Sequence, residues 1–428
     1  MPYLPNREVP ARQENGTDTL AQFAGIFFAF RAFIMVLSVR LLGTDPQTGT
    51  AITLIADALL LLATAFCCIG EGNRKLGEMS RTASVRWCLA YLVLSCASLL
   101  WSETSSLPIA VVYWVGMAAD FFAVVLMLRA RSAAVIVPSL MMGYVWGACL
   151  GGVVAWLLPA QSDLRLGDEE LLGPNNIAYP LAIAFLFAQF LMRKRLGNWA
   201  LPATFLGITV LRSLSKTTIL ALLAAEALVL IADRSMSRRT KALLIGCACL
   251  VFVGFSALLI AYWDIYLNAG NQSETLSGRL GIWAYFLVEG LQKPWLGHGF
   301  NSVWGIVPPF GPDKFEAAHA HNELIQQFYA YGVAGVSIFI GYYGSLYRQT
   351  KKLPSASMRL FLRACLLFFL IRGFADTERF DLSLPIWAGL LISEFIEHEQ
   401  LASPCENQEI VTSESTSGVP LEGNPDFV

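Results

Sequence analysis

Apolar runs of about 15 to 26 residues alternate along the chain with short polar connections, close to the roughly 20 residues a helix needs to cross about 30 Å of hydrocarbon. Twelve such runs fall at 20–42, 50–70, 87–101, 107–128, 133–158, 174–192, 198–211, 217–232, 241–262, 324–347, 359–371 and 382–396. The pattern predicts an all-α, polytopic transmembrane bundle of about 12 helices over 20–396. The seventh and eleventh runs are short, so tilting or partial unwinding is expected there. One long polar interruption, 263–323, separates the ninth run from the tenth and is expected to be a large loop. Residues 1–19 are polar, and 397–428, rich in Glu, Ser, Gly and Pro, reads as a disordered tail.

Every second connection is basic: EGNRKLGEMSRTASVR (71–86), RARS (129–132), RKRLG (193–197), DRSMSRRTK (233–241) and RQTKKLPSASMR (348–359). The intervening TDPQTGT, SETSS and PAQSDLRLGDEELL carry almost no Lys or Arg. Because Lys and Arg accumulate in cytoplasmic loops, both termini are expected in the cytoplasm and 263–323 outside, in a bacterium the periplasm. The first run is too long for a signal-peptide core and its leading residues are polar, so it is expected to remain as the first span.

Composition agrees with the pattern. A chain that is 55% hydrophobic and 14% charged is not a soluble globular protein. A net charge of −2 gives a nucleic-acid partner no electrostatic footprint. The nine cysteines avoid the exterior loops, so no disulfide framework is indicated. The absence of Walker, Rossmann and HExxH patterns weakens ATP-driven transport and soluble-cofactor chemistry, and no cofactor is expected. Arg31, Asp57, Asp120 and Glu226 lie inside apolar runs. Internal pairing, for example Arg31 with Asp57, is preferred for them over an ion pathway.

Candidate chemistry gathers between 276 and 335, which holds three of the four histidines (His298, His319, His321) together with Arg279, Lys293 and Lys314. GRLGIWAYFLVEGL predicts a short helix on the membrane surface or docked on the bundle, with Arg279 in its first turn. The turn-rich KPWLGHGFNSVWG follows, and AHAHNEL places His321 where the tenth span begins. On the residues alone, Arg279 reads as readily as a bland cation, capping a surface helix or snorkelling to lipid headgroups, as it does as a functional one. His321 has a bland reading as a loop histidine, and Arg212 and Lys216 as interfacial residues. Zinc on His298, His319 and His321 is the weaker reading, since no carboxylate or Cys spacing completes a recognised set. Arg372, Asp376 and Glu378 are placed in an exterior loop that lines the same cleft.

In order along the chain, GPNNIAYPLA (173–182), SLSKTTILALL (213–223), SGRLGIW (277–283), PWLGHGF (294–300), HNELIQ (321–326) and YGVAG (331–335) resemble signatures of the O-antigen ligase and polymerase superfamily of bacterial membrane glycan transferases. The similarity covers about 173–336. The resemblance implies transfer of a glycan from undecaprenyl diphosphate to a sugar hydroxyl on the periplasmic face of the inner membrane, with no metal. It assigns His321 to the acceptor proton and Arg279 to catalysis and the diphosphate, with Lys216 or Arg212 as further diphosphate ligands. Lys216 stands where the family commonly has Arg. Accessory residues are Arg372, Asn322, His319 and His298. Implied partners are the undecaprenyl-diphosphate-linked glycan donor, a saccharide or lipid A-core acceptor, the bilayer, and flippase and chain-length regulator proteins. A secondary transporter or lipid-linked glycan flippase is the alternative, and a non-catalytic scaffold the third reading. Transporters place key residues near the bilayer midplane, whereas this chain concentrates His and Arg in one exterior loop.

Overall fold

The computed structural model describes residues 16–68, 79, 81–159, 161–168, 170–234, 236–268, 276–303, 306–310, 317–377 and 384–415. They form helices α1 (Gly16–Leu42), α2 (Pro46–Cys68), α3 (Ala83–Ser98), α4 (Leu107–Ala130), α5 (Ala133–Leu157), α6 (Pro174–Arg193) and α7 (Ala200–Arg212). The second half contains α8 (Lys216–Ala232), α9 (Arg238–Asn268), α10 (Leu276–Gln292), α11 (Glu323–Thr350), α12 (Ala356–Ala375) and α13 (Leu384–Ser415). The protein is an all-helical, multi-pass membrane protein. Each of the twelve apolar runs coincides with a helix, and α10 is additional. Among the described residues, α1, α2, α4, α5, α6 and α11 are long and apolar enough to cross a membrane, and α9, bent by 41°, makes a seventh.

Two expectations change. The eleventh run is not short: α12 extends over 20 residues, because the arginines that interrupt its apolar pattern are accommodated within the helix. Arg363 Nε donates to Thr350 Oγ1 at 3.1 Å, and Ser355 Oγ caps the start by accepting from the Met358 amide at 3.3 Å. The second change concerns the tail. Helix α13 continues past 396, where composition places a disordered end, because its next turn is tethered: Lys194 Nζ lies 2.9 Å from Glu399 Oε1, and Gln349 Nε2 donates to Glu397 Oε1 at 3.2 Å.

Successive spans run antiparallel, so the connections sort to two ends of the bundle. At one end Arg193 Nη1, Asp233 Oδ2 and Ser357 Oγ join α6, the turn after α8 and the start of α12, at 2.8 to 3.1 Å. That end carries the basic connections 129–132, 193–197, 233–241 and 348–359. At the other end lie the loops before α2, α4, α6 and α8, with Lys293 and His298 after α10 bound to Glu103 in the loop before α4.

Glycines bring α1 and α5 together along their lengths; a methyl group on Gly25, Gly143 or Gly147 would strike the facing backbone. The centre of the bundle is aromatic, with Trp387 of α13 packed 5.1 Å from Phe28 and 5.5 Å from Tyr144. The charges inside the spans are paired, as expected, with a wider set of partners. Buried Arg31 meets Asp120 directly and Asp57 at 3.5 Å, and Glu226 accepts from Gln189 at 2.9 Å. A lone charge at that depth would carry a large desolvation cost.

Candidate active site

The site is built where α11 begins and α12 ends. Asn322 is the N-cap of α11: its Oδ1 accepts from the Ile325 amide at 3.1 Å, while its Nδ2 donates to the Phe374 carbonyl at 2.9 Å. One side chain therefore caps one helix and pins it to the last turn of another. Gln326 adds a second clamp by accepting the Ala320 amide at 2.8 Å. Between these fixed points His321 takes a left-handed backbone conformation, φ +51°, which costs a residue with a Cβ about 1–3 kcal/mol and is concentrated at functional sites.

His321 Nδ1 lies 3.3 Å from Asp376 Oδ1, and Arg372 Nη2 reaches Asp376 Oδ2 at 3.2 Å from one helical turn earlier. Arg372 in turn lies over the ring of Tyr179 on α6, with its guanidinium carbon 3.7 Å from the centroid. Burial opposes ionisation of Asp376, but the Arg372 guanidinium, the His321 hydrogen bond and the charges of His319 and His321 outweigh it and hold its carboxyl well below the usual range. An ionised Asp376 can accept from Nδ1–H, and in that neutral tautomer of the ring Nε2 carries the lone pair. The His319 ring is 4.2 Å from that of His321, and its Nδ1 accepts the His321 amide at 3.3 Å.

The remaining cations approach from three elements. Arg279 lies on α10 three and seven residues before Ile282 and Phe286, both fully buried, so it occupies the face turned toward the protein. Trp283, one turn on, packs 6.2 Å from Phe374, whose carbonyl Asn322 holds. Lys216 opens α8, exposed, with Nζ 5.5 Å above the Tyr262 ring. Its neighbour Ser215 donates to Asn175 Oδ1 at 2.6 Å, and Asn175 is one turn above Tyr179 on α6. Helix α6 is thus the common wall between Lys216 and the Arg372–Asp376–His321 chain. Arg212 serves differently: Nη1 donates to the Leu164 carbonyl at 2.7 Å and its guanidinium lies 5.9 Å from the Trp156 ring, securing the connection before α6.

His298 is not part of this cluster. It is buried, pairs through Nδ1 with Glu103, donates through Nε2 to the Glu289 carbonyl at 3.1 Å, and stacks on Tyr329 at 4.5 Å. The hydrogen bond from Lys293, together with His298, holds the Glu103 carboxyl below its usual range despite partial burial. Around His298 the PWLGHGF segment docks onto the middle of α11. Val333 N–H donates to Pro294 O at 2.7 Å and Ala334 N–H to Trp295 O at 3.3 Å; in return, His298 N–H reaches Tyr329 O at 2.9 Å and Gly299 N–H reaches Ala330 O at 2.8 Å. Gly332, at φ +61°, breaks α11 there, and a Cβ on it would come within 2.5 Å of the Pro294 carbonyl. Two separate sequence signatures are therefore one joint.

The structure also changes the metal reading. Ligand atoms of His319, His321 and Asp376 lie within 4.8 Å of one another, a set with the dimensions to hold a divalent ion. The carboxylate that the sequence spacing did not supply arrives from 55 residues away, and His298 is replaced by Asp376. Against a cation, the second Asp376 oxygen is bound to Arg372. Lys314 and Glu378 lie outside the described residues.

Residues 201–340 match the family model described as O-Antigen ligase. That match covers about a third of the chain, and the segment is similar to the O-antigen ligase family. The chain is also similar to the Exopolysaccharide production protein ExoQ of Rhizobium meliloti (strain 1021), 25% identical over 332 residues that cover 69% of this chain and 73% of the relative. The O-antigen ligase segment contains Arg212, Lys216, Arg279, His298, His319, His321 and Asn322. Arg372 and Asp376 lie beyond it, and only the fold brings them to His321.

Proposed function

We propose that this protein transfers a glycan from an undecaprenyl-diphosphate-linked donor to a sugar hydroxyl at the periplasmic face of the inner membrane, using neither metal nor cofactor. The observation that carries the reading is the Arg372–Asp376–His321 chain, against whose neighbour Phe374 helix α10 packs through Trp283, with Lys216 on the far side of α6. The acceptor oxygen attacks the anomeric carbon as the bond from that carbon to the diphosphate oxygen breaks, and the acceptor proton passes to His321 Nε2. Diphosphate is already a weak base, so the leaving group needs cations rather than an acid. A guanidinium clamps two of its oxygens, and one such preorganised donor is worth about 10²–10³ in rate. A positioned general base adds roughly 10²–10⁴. Lys216, exposed at a helix start, is the second cation; Arg212 holds the wall.

The family match and the relative support exopolysaccharide biosynthesis of the O-antigen ligase and polymerase type, in which the reaction either joins repeat units or moves the finished chain to its acceptor. The charges that favoured a transporter are engaged with one another inside α1, α2 and α4. The test is transfer from purified lipid-linked repeat unit by the protein in detergent. His321→Ala is expected to abolish product while donor binding persists, since catalysis is stabilisation specific to the transition state. Undiminished product from His321→Ala overturns the assignment. Single repeat units on lipid A-core in a deletion strain identify a polymerase; full-length chains stranded on the carrier identify a ligase.

A further inference from the structure

Helix α10 is apolar on two opposite faces. Ile282 and Phe286 are buried in a small core with Val303, Val307, Ala320 and Tyr329, and Gly290 on the same side faces Phe328. On the other side Leu280, Leu287, Val288 and Leu291 follow the i, i+7, i+8, i+11 rule of a single helical stripe, and Ala284 lies among them. They are exposed, Leu291 to 66%, and the stripe runs on into Trp295, 73% exposed, and Leu296. A helix that faced protein on one side and water on the other would carry polar residues on the outer side. Here that side carries none at the stripe positions.

The stripe is continuous with the exposed apolar surface at the end of α3, a shorter apolar helix of the bundle. Trp101 Nε1 donates to the Leu296 carbonyl at 3.3 Å, beside Leu100 at the end of α3, which is 89% exposed. α10 is bounded by a basic residue near each end, Arg279 and Lys293, and followed by an exposed Trp, the side chains that suit the level of phosphate headgroups.

We infer that the outer face of α10 is seated in the bilayer, lying in the plane of the headgroup and acyl boundary, with lipid as its partner. The helix docks on the protein by one apolar face and on the membrane by the other. This fixes the height of Arg279, on the inward face, at the level of the lipid phosphates. Resting on the reading of a lipid-linked donor, the consequence is that a diphosphate carried by a membrane-embedded polyprenyl chain meets Arg279 without leaving its own depth.

The test uses full-length protein in a cysteine-free background, with single cysteines at Leu287, Val288 or Leu291, each labelled with an environment-sensitive fluorophore, in phosphatidylethanolamine and phosphatidylglycerol vesicles. The expected result is blue-shifted emission, at least twofold stronger quenching by lipid spin-labelled near the headgroup than deep in the chain, and protection from aqueous iodide. The reference label is at Glu170 in the connection before α6, whose side chain is 78% exposed; iodide should quench it freely. Iodide access at all three α10 positions places the stripe in water and overturns the inference. Shielding from both iodide and lipid quenchers assigns it to a protein partner, which overturns it equally. None of these readouts involves glycan transfer, so an inactive enzyme with a lipid-seated α10 defeats the proposed reaction alone.

Discussion

Asp376→Asn changes one charge at the point where three groups meet. Asparagine keeps the volume but removes the carboxylate 3.3 Å from His321 Nδ1 and 3.2 Å from Arg372 Nη2. The amide no longer selects the Nδ1–H tautomer, so the base loses its fixed orientation and the electrostatic support for its protonated form. Turnover should fall by a large part of what a general base contributes, about 10²–10⁴, which corresponds to roughly 3–5 kcal/mol of barrier. Donor KM should change little, because the diphosphate cations are untouched. The substitution also leaves the buried Arg372 without its carboxylate, and such breakage costs about 3–5 kcal/mol of stability. The assay is therefore steady-state transfer from lipid-linked donor on protein whose monodispersity and Tm are measured in the same preparation. Coupling distinguishes positioning from general destabilisation: Asp376→Asn should cost almost nothing further once His321 is alanine, as residues that act as a unit are non-additive. Wild-type turnover in Asp376→Asn, or independent losses that multiply in the double variant, refutes the dyad.

Arg279→Lys should lose most activity, since an ammonium lacks the planar fork that clamps two oxygens, whereas Lys216→Arg should be tolerated; donor-dependent kinetics compare the two. A chelator should leave transfer unchanged, and zinc supplied in excess should inhibit by occupying His319, His321 and Asp376, both read in the same assay. His298→Ala should lower Tm markedly and reduce activity only through the folded fraction, with the activity per folded molecule within a few-fold of wild type. Asp376, a carboxyl depressed on folding, contributes stability above its unfolded pKa of about 3.9 that is lost only as pH falls through the lower folded value. The Tm difference between wild type and Asp376→Asn should therefore stay constant from neutrality to about pH 5 and shrink below that.

The bundle was legible because lipid demands long apolar helices, a requirement that leaves its record in consecutive residues. The α12 arginines escaped that reading, since a run of apolar residues does not show that Arg363 finds Thr350 and Tyr347 on a neighbouring helix. His321 and Asn322 were visible as a polar pair at a helix start. Asp376 was visible only as a position, because its approach to His321 depends on Asn322 reaching Phe374 across two helices. His298 looked like chemistry for the opposite reason: its partner Glu103 is 195 residues away, and nothing local marks it as enclosed.

The joint at Gly332 also bears on how this chain can diversify. The backbone exchange with 294–299 holds the segment after α10 at one point, and the Asn322 and Gln326 clamps hold it again just before α11. Between those anchors Val303, Val307 and Ala320 are packed against Ile282 and Phe286 of α10, so their positions are tied to that helix as well as to the two clamps. Change there is confined by three attachments at once, while the geometry of His321 stays where the two helices put it.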